Sequence, residues 1–210
     1  MTKAKAIKPR LGRPPATDSA DTRRRILDLA RQAFATLGYE AATNRNLGAE
    51  ANLTAGALYY YFGSKLDLYI AVYDDAQERV YAQFTSALSG PTTFRGKFEA
   101  VLEAAHEMNK QDPSLARFLG AMRVDARRNP ELGAALKHTS ARRESFFDQI
   151  VDVGVETGEI DPSMRDQVSA MVLTVLVGLT DAVSEDLSRH RLAIDAIKGL
   201  LEGKLIRPAP

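Results

Sequence analysis

The 210-residue chain has no cysteine, which excludes disulfide frameworks, cysteine–zinc sites and thiol catalysis together and suits a reducing, cytoplasmic setting. Its three histidines, His106, His138 and His190, are scattered, so no metal site is expected. No apolar run approaches the roughly 20 residues that span a bilayer, and the basic first residues lack the apolar stretch of a secretory signal. Neither GxxxxGK nor HExxH occurs, and no carboxylate spacing singles out a catalytic pair. These absences argue against an enzyme, a membrane partner and a bound cofactor. Long alternating β-branched runs are also missing, while helical periodicity recurs along almost the whole chain, so the expected fold is all-α.

Charge is present but unevenly placed. Residues 1–65 hold 11 Lys and Arg against 5 Asp and Glu, whereas residues 66–210 hold 17 against 22. A basic head on an acidic body suggests that one end meets a polyanion, although a solvated basic tail would have the same composition. The first 18 residues, with Pro9, Gly12, Pro14 and Pro15 among lysines and arginines, read as a flexible arm. The organisation expected is therefore an arm over 1–18, a basic head over 19–65, and an acidic helical body over 66–210.

The first helix is expected from about Asp21 to Leu37, with Ile26, Leu29, Ala30, Ala33, Phe34 and Leu37 as one apolar stripe and Gly38 as its left-handed cap. Thr43 caps a short helix to about Ala51, with Leu47 and Ala51 inward. Asn52 and Leu53 form a tight turn, and Thr54 caps a third helix with Leu58 inward. Ser64 caps a long fourth helix carrying Leu68, Ala71, Val72, Ala76 and Val80. Later helices are placed near 94–110, 114–128, 130–156, 163–188 and 191–205, with Pro113, Pro130 and Pro162 near helix starts and a break around Arg189-His190.

Two short helices joined by a tight turn between longer ones form a helix-turn-helix. The third helix offers small residues at its start (Thr54, Ala55, Gly56, Ala57), then Tyr59, Tyr60 and Tyr61. Small residues let a backbone approach a base edge or phosphate, and tyrosines reach phosphate oxygens or thymine methyls. Core packing is the competing reading, and it holds for Leu58 and Phe62. Three successive tyrosines cannot all face inward, since neighbours lie about 100° apart. Arg45 carries a fork suited to guanine, and Lys65 lies where it can touch the DNA backbone.

The segment Thr22–Asp74, with RRILDLARQAFATLGYEAAT and EANLTAGALYYYFGSKLDLYIAV, resembles the DNA-binding domain of TetR-family regulators. Its core is the Gly-x-Leu-Tyr-x-Tyr-Phe-x-x-Lys pattern from Gly56 to Lys65. The resemblance implies operator contacts from Thr43, Asn44, Arg45, Thr54, Ala55, Gly56, Ala57, Tyr59, Tyr60, Tyr61 and Lys65, with Arg45, Ala55 and Tyr60 nearest the bases. It also implies repression by operator occlusion; an activator or an architectural protein is the alternative within DNA binding. Asn52 stands where the family usually has glycine, and Ala55 where many members carry a longer side chain. Arg10 and Arg13, around a Gly-Arg-Pro core, either enter an A·T-rich minor groove or belong to a plain solvated tail.

The resemblance fades after about residue 75. The rest is similar only in layout, and the resemblance implies that the body over 66–210 is a ligand-binding and dimerisation domain whose last two helices make the dimer interface. Candidate effector contacts are Phe98, Leu102, His106, Phe118, Met122, Phe146, Phe147 and Ile150, with Leu119 and Arg123 nearby; ordinary core is the competing reading for each. Their apolar character implies a hydrophobic or aromatic small molecule. Met171, Val172, Val175, Leu179, Val183, Ile197 and Leu201 form apolar faces that suit a two-fold four-helix bundle in a homodimer, or the core of one chain. The expected partners are thus double-stranded operator DNA, a small-molecule effector and a second copy of the chain. A helical adaptor binding only protein is the remaining alternative.

Overall fold

A computed structural model describes the backbone of residues 16–50, 54–182 and 184–205, and among these the side chains of all but 16–18, 44, 49, 50, 55, 57 and 138–144. The described residues form nine α-helices and one 3₁₀ turn and contain no strand. In order they are α1 (Ala16–Ala41), α2 (Asn44–Glu50), α3 (Ala55–Phe62), α4 (Lys65–Ala87), α5 (Phe94–Gln111), α6 (Pro113–Arg128), α7 (Pro130–Glu156), the 3₁₀ turn Pro162–Met164, α8 (Arg165–Ala182) and α9 (Leu187–Leu201).

Local chemistry sets most boundaries. Gly38 breaks the helical path of α1 at φ +75°, a left-handed conformation that costs glycine nothing. Thr43 and Asn46 cap α2 reciprocally: Asn46 N donates to Thr43 Oγ1 at 3.3 Å, and Thr43 N donates to Asn46 Oδ1 at 2.6 Å. Ser64 accepts from Asp67 N at the start of α4. Asp112 and Asn129 cap α6 and α7, and a proline follows each cap, where its missing N–H is harmless.

The stretch expected as 163–188 and 191–205 divides earlier. After α8 ends at Ala182, Asp186 caps α9 by accepting from Ser188 N and Arg189 N, both at 3.0 Å. Apolar periodicity runs through this junction without a gap, but the carboxylate satisfies N–H groups that a continuing helix would have bonded itself. His190, expected at the break, lies inside α9 and is buried. Arg191 then pins α9 to α5 by donating to Glu103 at 2.8 and 3.0 Å.

Two apolar clusters hold the chain together. The first joins Ile26, Leu27, Ala30 and Phe34 of α1 to Leu47, Leu58 and Phe62 of the short helices, to Leu68, Tyr69, Val72 and Tyr73 of α4, and to Leu115, Phe118 and Met122 of α6. Leu37, expected on the inward stripe, is instead 46% exposed, because the stripe turns away as α1 approaches Gly38. The second cluster gathers Phe84, Phe94, Phe98, Val101 and Leu102 with Phe147, Ile150, Val172, Leu176, Leu179 and Ile194. α4 contributes to both, its first half to one and Phe84 near its end to the other.

α6 is fastened to α1 at both ends. Near its start, Arg31, only 3% exposed, donates to Asp112 Oδ2 at 2.6 Å and to Ser114 Oγ at 3.0 Å. Near its end, Asp125 Oδ2 accepts from Tyr39 N at 2.8 Å and from the Tyr69 hydroxyl at 3.0 Å. Burial, followed by the Asp125 carboxylate, pushes the Tyr69 phenol far above its ordinary range, so it stays a donor.

Candidate nucleic-acid interface and effector cavity

The helix-turn-helix presents one outward face. Leu58 and Phe62 turn into the core, 4% and 6% exposed, and fix the rotation of α3. Tyr59 and Tyr60 therefore stand 48% and 77% exposed, while Tyr61 packs partly against the core and meets the Tyr60 ring edge-on at 5.4 Å. The two exposed rings make α3 an aromatic surface at this end of the molecule.

Gly56 lies on the same helix. Among the described residues, a Cβ built there would meet only Thr54 Oγ1, at an ordinary 3.9 Å. Alanine would favour the helix by about 1 kcal/mol. Thr43, Arg45 and Thr54 are exposed on the same short helices. The side chains of Asn44, Ala55 and Ala57, and all of Arg10, Arg13, Ala51, Asn52 and Leu53, lie outside the described residues.

Lys65 has work within the fold. Its Nζ donates to the Tyr39 carbonyl at 2.9 Å and reaches the Glu40 carbonyl at 3.5 Å, satisfying acceptors at the end of α1, and it sits 4.4 Å from the Tyr39 ring centre. An ammonium has three protons, so a phosphate contact remains compatible with this role. Sequence reasoning did not single out Arg23, whose guanidinium lies 5.0 Å from the centre of the Phe62 ring and ties α1 to α3.

A cavity of about 110 Å³ opens between α4, α5, α6, α7, α8 and α9. Of the eight expected effector contacts only Met122 and Phe147 line it. Phe98, Leu102 and Ile150 are spent in the second apolar cluster, and Phe118 in the first, against the Tyr69 ring. Phe146 borders a separate recess with Tyr81 and Thr85. His106 does not line the cavity but bonds to His190, which does. The lining that sequence reasoning missed comes chiefly from Val80, Tyr81 and Phe84 of α4, from Asn109 of α5, and from Leu176 and His190. Only placing these helices around a common void reveals which of their faces border it.

The apolar faces of α8 and α9 are also divided. Val172 and Leu179 are buried in this chain's own core, contrary to their expected place on an intersubunit face, and Leu179 lines the cavity. Met171 on α8 and Leu192 and Leu200 on α9 are exposed at 39%, 67% and 51%. Val175, Ile197 and Leu201 are half-buried, and Val183 lies outside the described residues.

Comparison with known proteins agrees with this arrangement. The family model described as bacterial regulatory proteins, tetR family, matches residues 26–72. The chain is 27% identical to the HTH-type transcriptional regulator UidR of Escherichia coli (strain K12) over 194 residues, 90% of this chain and 95% of that protein. It is 31% identical to the uncharacterized HTH-type transcriptional regulator TtgW of Pseudomonas putida over 96 residues, 46% of this chain and 72% of that protein. The fold is shared with the transcriptional regulator FadR of Bacillus subtilis, in complex with stearoyl-CoA, at a TM-score of 0.72 and 18% identity over 87% of this chain and 99% of that one. With its helix-turn-helix head followed by a helical body, the chain belongs to the tetR family of bacterial DNA-binding transcriptional regulators, which are not enzymes.

Proposed function

We propose that the protein is a repressor that occupies a palindromic operator as a homodimer and is released by a small, predominantly apolar effector. The observation that carries this reading is α3, whose buried Leu58 and Phe62 hold Tyr59 and Tyr60 outward beside Gly56. In this reading α3 enters the major groove, with Arg45 and Tyr60 at base edges or methyls. Thr43, Asn44, Thr54, Gly56, Ala57, Tyr59, Tyr61 and Lys65 hold the backbone. Ala55 sits close to a base, and Arg10 and Arg13 follow the minor groove.

The dimer brings two such helices to successive turns of a near-palindrome. Support for it comes from the exposed Met171, Leu192 and Leu200 on α8 and α9, and from Gly178, where a Cβ would meet nothing within 4 Å among the described residues. The functional division runs between a head over 19–65 and a body over 66–210. Two helices connect them. α4 packs Leu68 and Tyr69 with the head and carries Val80, Tyr81 and Phe84 to the cavity, while α6 lines the cavity with Leu119 and Met122 and holds Tyr39 through Asp125. An effector that repositions either helix shifts the spacing of the two recognition helices, and operator affinity falls.

The test is binding to DNA immediately upstream of the coding region, against scrambled DNA, at two salt concentrations. A preference of about 10³-fold or more, with affinity falling as salt rises, is expected. Absence of binding to either DNA at low salt would overturn the reading.

A further inference from the structure

The cavity lining is mainly apolar, with polar side chains from Gln77 and Tyr81 of α4, Arg123 of α6 and Thr180 of α8, and with Asn109 and His190 together where α5 meets α9. Asn109, on α5, is 4% exposed, and its Nδ2 donates to the Ser184 carbonyl at 2.7 Å, which fixes how the amide faces. Its Oδ1 is buried with no hydrogen-bond partner. Among the described residues, Glu99 Oε1 and Arg191 Nε are in the same position, but each has an opposite charge within 4 Å, from Arg95 and Asp195. Among the described residues Asn109 Oδ1 has neither a donor nor a charge to offset its burial; its residue lines the cavity while the oxygen itself is covered, so a ligand there meets it once the surrounding side chains give way.

One turn earlier on the same face of α5, His106 Nδ1 lies 3.0 Å from Nδ1 of His190, which is 3% exposed and also lines the cavity. Two neutral imidazoles share such a contact only when one Nδ1 carries the proton and the other accepts it. When His106 donates, the His190 proton sits on Nε2, which becomes a donor in turn. Burial, with His106 and Arg191 beside it, holds the His190 ring below the usual histidine range, so it is neutral near pH 7. The guanidinium in the lining, Arg123, donates to Asp181 Oδ1 and to the Leu119 carbonyl, both at 2.9 Å.

We infer that the cavity takes a neutral, compact aromatic compound bearing one hydroxyl group, a phenol, which donates to Asn109 Oδ1 and accepts from His190. The inference rests on the reading of this cavity as the effector site. Size restricts the ligand to a single small ring: an apolar cavity of about 150 Å³ holds benzene, and this one, at about 110 Å³, takes a ring of that kind only as its walls give slightly. A hydrocarbon would leave Oδ1 sealed without a donor. A carboxylate would set negative charge against it, with the guanidinium already paired. A phenol satisfies the oxygen and fills the apolar end with its ring.

The experiment is calorimetric titration of the full-length protein with phenol, anisole, toluene and benzoate. Phenol is expected to bind about tenfold or more tighter than anisole or toluene, with benzoate weaker than phenol. In Asn109→Leu the advantage of phenol over toluene should shrink to about twofold or less. If that variant does not fold, the ranking on the natural protein decides alone. Toluene or anisole binding as tightly as phenol, benzoate binding best, or none of the four binding would each overturn the inference. Adding phenol to the operator complex separates it from the broader reading. Selective phenol binding that leaves the DNA bound keeps this inference and removes effector release. Release by another compound, with no phenol binding, does the reverse.

Discussion

Two clusters of buried polar groups lie at opposite sides of α4 and α6, and they are finished differently. At the junction of α1, α4 and α6, Arg31 and Arg79 face Asp28, Asp75 and Asp112, and each charge has at least one opposite charge between 2.6 and 3.9 Å away. At the polar end of the cavity, Asn109, His106 and His190 lie together and Asn109 Oδ1 is left over. A closed network fixes a geometry, since every arrangement but one leaves a charge unpaired. An open one holds a binding capacity that the fold itself does not use. The junction is the part of the molecule that sets where the head sits, and the cavity end is the part that can respond.

Removing the centre of the closed network should produce the largest effect. Arg31→Met leaves Asp112 without its cation and takes one of two cations from Asp28 and Asp75, which keep Arg79. We expect a loss of about 3 kcal/mol in denaturant unfolding, the lower end for breaking a buried pair, because the carboxylates keep 23–35% exposure and are partly screened. A loss below about 1 kcal/mol would show that the junction is not the clamp described. Asp125→Ala comes next. It strips the acceptor from Tyr39 N and from the fully buried Tyr69 hydroxyl, for an expected loss of about 2 kcal/mol, whereas Asp125→Asn keeps an acceptor oxygen and should cost less. Equal losses in both variants would assign the effect to charge rather than to the hydrogen bonds.

The surface of α3 sharpens the contrast, because its groups belong to neither cluster. Tyr60→Ala should leave unfolding stability within about 0.5 kcal/mol while weakening operator binding by about 1–3 kcal/mol. Gly56→Leu should behave alike, since the modest contact found at that position leaves room within the chain. Unchanged DNA affinity in both would mean that another surface reads the operator.

What the sequence discloses follows the same division. Helix positions are legible because caps and prolines act locally: Thr43, Ser64, Pro113 and Pro130 mark their helices without help from distant residues. The recognition face is legible because three adjacent tyrosines cannot share one side of a helix. Arg31 is invisible in the sequence, since an arginine three residues after an aspartate reads as a solvated helix pair, and its main partner Asp112 is 81 residues away. Asn109 in the run Met108-Asn109-Lys110-Gln111 reads as surface, and only the approach of Ser184 from 75 residues on shows it buried. Phe98 and Phe118, expected at the pocket, are core for the same reason, whereas Phe147 does line the cavity. Apolar character says that a side chain is inside, but a void is defined by where several helices fail to meet.

The smallest effect concerns pH and the open cluster. His190 in the folded protein titrates below its ordinary value, chiefly through burial, then through His106 and Arg191. The unfolded chain therefore binds more protons than the folded one between the two values, and stability must rise with pH across that interval. The contribution is complete above the ordinary histidine value of about 6.5 and is lost as pH falls through it. A protonated pair would also set two donors face to face across the 3.0 Å contact between α5 and α9. Unfolding measured from pH 7.5 down to 5.5 should show declining stability, in a range where Asp161 and Glu202, whose values are lowered by their serine and lysine partners, stay charged. His190→Gln should flatten that slope. A slope unchanged by the substitution, or stability that increases on acidification, would mean that the imidazole pair is not buried in the neutral form, and that the cavity's polar end is wetter and less selective than its geometry indicates.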